Sequence, residues 1–157
     1  MLKPLQQWIC DSCGEIINSP KQGYVEWMET RGKVHGFRIV HHALYSPYRY
    51  RNDCYYKDDE SGGDCSVRDL IGIRGLVNLT SWIDVGEWHD PQYSGPRVRD
   101  LREWTTLFRR LFIPYYEEAR HCTDGLRDEL GGAANAVGLY LPETLKRIIE
   151  EHEAHAA

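Results

Sequence analysis

The sequence predicts an α+β fold, with strands in the first 66 residues and helices from residue 67 onward. Three observations carry that reading. The runs GYVEWM (23–28) and GFRIVHH (36–42) are β-branched and aromatic, and they flank a glycine-containing turn segment. From residue 67 the apolar residues recur instead at three- and four-residue spacing, the period of an amphipathic helix. A short motif, CDSCG at 10–14, interrupts the first half immediately after a candidate strand.

In chain order, QQWIC reads as a short strand entering the CDSCG turn, and EIINSPKQG behind it carries no helix signature. ETRGKVHG, with Gly32 and Gly36 as turn residues, joins the two longer strands as a hairpin with an extended loop. ALYSPYRYRNDCYYKDDESGGDC is rich in Tyr and polar residues, and SGGD (61–64) reads as a turn or a mobile tip. VRDLIGIRGLVNLTSWI (67–83) places Leu70, Ile73, Leu76, Val77 and Leu79 at near-helical spacing. Asp69 is a candidate cap there, and Gly72 and Gly75 are points where the segment could divide. DVGEWHDPQYSGPR (84–97) is a loop. DLREWTTLFRRLFI has apolar residues at 101, 104, 107, 108, 111 and 112, and Asp100 with Glu103 resembles a capping box. Pro114 ends that helix and opens PYYEEARHC as a first-turn proline. LPETLKRIIEEHEAHAA is the last helix, with Leu145, Ile148 and Ile149 on one face. The expected organisation is a β lobe over 1–66 and a helical lobe of three to four helices over 67–157, packed as one compact unit.

Composition bounds the function. Hydrophobic residues make up 41% of the 157 and charged residues 27%, as in a globular chain rather than a disordered one. The net charge is −5, and neither half is basic, so a broad phosphate-binding lobe is not expected, although a local basic patch is compatible with it. The start of the chain lacks the apolar run and cleavage site of a signal peptide, and no window approaches the ~18 apolar residues of a membrane span. The expectation is a soluble, cytoplasmic protein without membrane contact. Thiols are kept reduced there, so the five cysteines should be metal ligands, buried thiols or reactive thiols rather than disulfides.

CDSCG is therefore weighed as a redox pair or as half of a metal site. A redox CxxC opens a helix within a βαβ pattern, and none follows here. A zinc knuckle places two thiolates on a tight turn, with a glycine after the second Cys to relax it. Cys10, Cys13 and Gly14 fit that pattern. Zinc takes four ligands, so two more are required. The candidates are His41, His42, Cys54 and Cys65. Strand alternation lets only one histidine face the ion. His41 is preferred because it shares a face with Phe37 and Ile39. Cys54 follows after a loop long enough for the chain to return, whereas Cys65 lies beyond the Gly-Gly tip. The expected set is Cys10, Cys13, His41 and Cys54 around a tetrahedral, structural Zn²⁺. The β lobe is then zinc-ribbon-like. Four protein ligands leave no open position for catalysis, so no catalytic residue is assigned.

Two resemblances accompany this reading. W-x-C-D-x-C-G, the GYVEW strand, the F-x-IVHH strand and RRLxIPYYEEAR are similar to a group of uncharacterised bacterial proteins. That resemblance implies a zinc-ribbon-like N-terminal half with a helical C-terminal half, and no activity. VHH preceded by CxxC also resembles the start of the HNH endonuclease pattern. It implies roles for His41, His42, Asn78 and His89 as base, metal ligand, loop-positioning residue and closing residue. The gap from His42 to Asn78 is longer than that pattern's, and TSWID stands where the family carries a cysteine and a CxxCH.

Three other constellations bear on partners. Glu117 and Glu118 are adjacent and point about 100° apart on a helix, so they are no ready acid–base pair. Glu117 and His121 share a face. Arg97, Arg99, Arg102, Arg109 and Arg110 form the most basic stretch. Tyr45, Tyr48, Tyr50, Tyr55 and Tyr56, interleaved with Arg49, Arg51 and Lys57, could stack on bases or anchor a protein. The expected function is a zinc-stabilised cytoplasmic binding or regulatory protein, non-enzymatic, acting through protein or nucleic-acid contacts. The alternatives are an HNH-like metal-dependent nuclease and a DNA/RNA-binding factor.

Overall fold

A computed structural model describes residues 1–47, 54–55, 62–89, 95–132 and 137–156. The fold is α+β. Two short strands, β1 (Trp8–Ile9) and β2 (Ile16–Ile17), pair antiparallel around the CDSCG turn. A three-stranded antiparallel sheet follows, in the order β4-β3-β5, from β3 (Gly23–Thr30), β4 (Lys33–His41) and β5 (Gly62–Ser66). Then come α1 (Gly72–Ser81), α2 (Leu101–Phe112), α3 (Tyr116–Ala119), α4 (Thr123–Gly132) and α5 (Pro142–Ala156).

The β3–β4 hairpin is tighter than the sequence suggests. Its strands run on to Thr30 and Lys33, leaving only Arg31 and Gly32 in the turn, both at positive φ (53° and 72°). Two such residues are the requirement of a type I′ turn, whose twist matches that of the strands. The register shifts between Glu26 and Met28, and Gly36, at φ 65°, takes up the extra residue as a bulge. From Phe37 the alternation runs cleanly to His41.

The SGGD segment differs from expectation. Gly62 and Gly63 belong to β5, opposite Met28 and Trp27. A Cβ at Gly63 would lie 2.6 Å from the Trp27 indole. The indole therefore covers the bare backbone, and that packing outweighs the low strand propensity of Gly-Gly. The helix count also exceeds expectation. Five α-helices are present among the described residues, the additional one being α4, whose sequence TDGLRDELGG is too polar and glycine-rich to announce itself.

β4 is an edge strand of its sheet, and both ends of its open side are covered. At Ile39 it receives the CDSCG turn. At Val34 it receives residues 97–99, with Val34 N–H donating to the Arg97 carbonyl (2.8 Å) and Arg99 N–H to the Val34 carbonyl (2.9 Å). Asp100 caps α2 as predicted, accepting from Arg102 N–H at 2.7 Å. Glu103 does not complete a capping box. Its carboxylate instead accepts from Gly36 N–H at 2.7 Å, tying α2 to the bulge of β4.

Two cores result. The larger joins Trp8, Ile17, Val25, Val34, Ile39, Val40 and Val67 to Leu70, Leu79, Leu107 and Leu111, and so draws on residues from both sides of position 66. Two tryptophans fasten elements across it. Trp8 Nε1 donates to the Arg110 carbonyl (3.1 Å), and Trp104 Nε1 to the Leu79 carbonyl (3.2 Å). The smaller core packs Ala119, Cys122 and Leu139 against Leu145, Ile148 and Ile149 of α5, the face the sequence marked. On α1 the apolar residues divide. Leu79 is fully buried, while Ile73 and Val77 are 79% and 62% exposed.

Candidate metal centre

The turn between β1 and β2 is closed by Cys10 N–H donating to the Glu15 carbonyl and Gly14 N–H to the Cys10 carbonyl, both at 2.9 Å. Gly14 has φ 76°, a conformation an L side chain adopts only with strain. The Glu15 backbone hydrogen-bonds the Cys13 sulfur. Asp11 docks this turn on β4. Its N–H donates to the Ile39 carbonyl (2.9 Å), and its Oδ2 accepts from Ile39 N–H (2.7 Å). His41 lies two residues further along the same strand, on the same face as Ile39.

The result is a cluster. Donor atoms of Cys10, Cys13, His41 and Cys54 all lie within 4.8 Å of one another. Three of the four residues are buried, and Cys13 is half-buried. His41 Nδ1 stands 3.5 Å from Cys13 Sγ. A tetrahedral zinc with Zn–S of about 2.3 Å and Zn–N of about 2.05 Å sets that edge at about 3.6 Å. The other ring nitrogen, Nε2, lies 3.3 Å from the Ile16 carbonyl, which can only accept. The proton is therefore held on Nε2, and the Nδ1 lone pair faces the three sulfurs. Ser46 Oγ is 3.1 Å from Cys54 Sγ and supplies that sulfur with a hydroxyl. Ligands and outer partners together make a closed Cys₃His donor set that can hold a metal ion.

Burial disfavours thiolates in this cluster as long as no cation stands among them. Burial, with Cys10 and Cys54 close by, pushes the Cys13 thiol up to about 12. Burial raises Cys54 as well and lowers His41. Three thiolates cannot share so small a volume unless a positive ion stands among them, and a bound dication reverses these shifts.

The remaining candidates fall elsewhere. His42 stacks on Tyr24, with ring centroids 4.8 Å apart, and Cys65 sits on β5 opposite Val25. Among the described residues neither joins a ligand group. Asn78 donates from Nδ2 to the Asp69 carbonyl (3.1 Å), and His89 is exposed in the loop after α1. Tyr48, Arg49, Tyr50, Arg51, Tyr56 and Lys57 lie outside the described residues.

Sequence reasoning missed what stands behind the cluster. Asp11, Arg110, Glu117 and Arg120 form a closed ring of alternating charge. Arg110 Nη1 reaches Asp11 Oδ2 at 2.5 Å and Arg110 Nε reaches Glu117 Oε2 at 2.6 Å. Arg120 Nη2 reaches Glu117 Oε1 at 3.2 Å and Asp11 Oδ1 at 3.0 Å. The ring is neutral overall. Ile9 N–H donates to Glu117 (3.0 Å), and the Ile9 carbonyl accepts from Arg110 (3.3 Å). Glu117 is thus a buried partner of arginines rather than a ligand or a surface charge. Arg110, 5% exposed, is lost to any basic surface. The available signal was helical position, since Arg110 lies three residues after Leu107 and shares its buried face.

Among the described residues no helix is long and apolar enough to cross a membrane. No protein-family model matches the chain, and no curated protein or solved structure is significantly similar to it.

Proposed function

We propose that this chain is a zinc-stabilised, non-enzymatic binding or regulatory protein of the cytoplasm. Zn²⁺ bound by Cys10, Cys13, His41 and Cys54 holds the β1–β2 turn against β4, and the protein acts through macromolecular contacts on the surface of that scaffold. The observation that carries this reading is the donor set itself. All four positions come from the chain, the histidine tautomer suits coordination, and the sulfurs of Cys13 and Cys54 are hydrogen-bonded from behind. Such a set leaves no coordination position for a substrate or water, which favours a structural over a catalytic role. Thiolate-rich tetrahedral sites select zinc over magnesium or calcium, which take oxygen ligands.

Elemental analysis of the purified chain tests this directly. One zinc per chain is expected, with loss of that zinc in Cys54→Ser and in His41→Ala. A zinc-free chain with unchanged thermal stability would overturn the structural role. Magnesium- or manganese-dependent cleavage of plasmid, abolished by His41→Ala with the fold intact, would replace this reading with the nuclease one.

A further inference from the structure

Of the five arginines that the sequence grouped, two leave the basic surface. Arg110 is buried, and the Arg109 guanidinium lies 3.9 Å over the Tyr140 ring. The pairing of residues 97–99 with β4 replaces them with two other cations. Val34 and Val98 are both buried and stand side by side. Their flanking residues, Lys33 on β4 and Arg97 and Arg99 on the paired segment, therefore face outward together. Arg31 at the hairpin tip joins them. Thr30, Arg31, Lys33 and Arg99 line one shallow notch of about 330 Å³, and no carboxylate lines it. Arg102 continues the cations onto the first turn of α2. All five residues are exposed.

The nearby acids do not neutralise this surface. Asp100 caps α2, and Glu103 binds Gly36 N–H. Glu29 pairs with Val34 and so projects from the opposite sheet face to Lys33. Among the described residues the side chains of Arg31, Arg97, Arg99 and Arg102 have no ion-pair partner, and Lys33 donates to the Pro96 carbonyl. Five positive charges on one face of a chain of net −5 mark a segregated field, which steers a polyanion to that face.

We propose that this stripe, Arg31, Lys33, Arg97, Arg99 and Arg102, binds the phosphate backbone of a nucleic acid. The proposal deepens the binding-protein reading and rests on it, because the zinc-held sheet is what presents the stripe. Phosphate is favoured over carboxylate because four of the five cations are arginines, whose planar forks match phosphate bidentately. A polymer is favoured over a small anion because the charges run along paired strands onto a helix instead of closing on one pocket. Residues two apart on such a strand stand about 6.8 Å from each other, which suits successive phosphates of an extended chain.

Fluorescence anisotropy of the full zinc-loaded chain with a short labelled single-stranded RNA of mixed sequence tests the proposal. Binding is expected, with a log–log salt slope of about −3 for four or five neutralised phosphates. Double reversal R97E/R99E should weaken binding by about tenfold or more. Reversing cations outside the stripe, R127E/K146E, should change it less than about twofold. No binding at about 50 mM salt, equal loss in both double variants, or equally tight binding to polyglutamate or phosphatidylserine vesicles would each overturn it. Zinc content measured on the same samples separates the two readings. One zinc per chain without RNA binding removes the stripe and leaves the metal centre standing, whereas a zinc-free chain removes the latter.

Discussion

Asp11 stands between the two cysteines of the knuckle yet turns its carboxylate away from them, toward Arg110, Arg120 and Ile39 N–H. Burial opposes its ionisation, but the two guanidiniums and that N–H outweigh the burial and hold its carboxyl below the usual carboxylate range. A depressed folded-state value means that the stability Asp11 contributes is present above about pH 3.9 and is lost as the pH falls through its lower folded value. Acid titration of the fold should therefore show a late loss below about pH 4, after the zinc has been displaced by ligand protonation. In Asp11→Asn that late phase should vanish when unfolding is followed by tryptophan fluorescence. The same variant should keep its zinc, because an amide of the same size at this position leaves the four donors undisturbed. It should nevertheless lose about 3–5 kcal/mol in urea denaturation, the cost of leaving buried Arg110 short of a partner. His41→Ala and His42→Ala should separate in the opposite respect. The first loses the metal; the second loses its stack on Tyr24 and the hydrogen bond that its Nδ1 accepts from Leu44 N–H, and keeps one zinc per chain. The clustering of Cys10, Cys13, His41 and Cys54 was legible in the sequence because metal chemistry draws on few residue types and strand alternation decides between adjacent histidines. The Asp11 ring was not legible, because its two halves lie 99 residues apart and no local pattern joins them.

Whole elements were legible where one period governed them. α5 buries Leu145, Ile148 and Ile149 and α2 buries Leu107 and Leu111 of the faces their spacing marks, Leu101 alone of the α2 set lying exposed, and β3 and β4 form the expected hairpin. Where a tertiary neighbour decides the outcome, local pattern misleads. β5 is a strand because Trp27 lies over Gly63, and α1 offers an apolar stripe to which only part of the protein responds. On that helix Leu79 fills the main core and Trp104 binds its carbonyl, so Leu79→Ala should cost about 2–5 kcal/mol. Val77, two residues earlier and largely exposed, should tolerate Val77→Ser within about 0.5 kcal/mol. Urea midpoints of the two variants, measured with zinc bound, test whether α1 carries its load on one side only. Equal losses would mean that the outer face is covered in solution. A similar contrast applies to the knuckle. A Cβ at Gly14 meets nothing within 4 Å, so Gly14→Ala should cost only the strain of a positive φ, about 1 kcal/mol, and should retain the metal.

At the scale of the molecule, the ring determines how far loss of the metal is felt. A simple β lobe stapled by zinc would loosen alone, leaving every helix in place. Here the turn that carries Cys10 and Cys13 also carries Asp11, and Asp11 is bonded to Arg110 at the end of α2 and to Arg120 just after α3. Trp8, directly before the turn, donates to the Arg110 carbonyl, and Ile9 exchanges hydrogen bonds with Glu117 and Arg110. When the sulfurs lose their cation they must protonate or separate, and a shifted turn takes Asp11 with it. The ring then retains two arginines against one carboxylate in a buried place, a net positive charge that the core cannot accommodate cheaply. Loosening should therefore pass from the β1–β2 turn into the end of α2 and into α3. It should fade at α5, because Leu145, Ile148 and Ile149 meet α3 through the apolar contact of Ala119 and, among the described residues, share no hydrogen bond with the ring. Hydrogen exchange before and after complete zinc removal resolves the two outcomes. Faster exchange is expected at 8–17, 37–41 and 107–120, with 145–149 affected least. Acceleration confined to 8–17 and 37–41 would show that the ring is a passive filler, and that the metal centre and the helices are stable independently of each other.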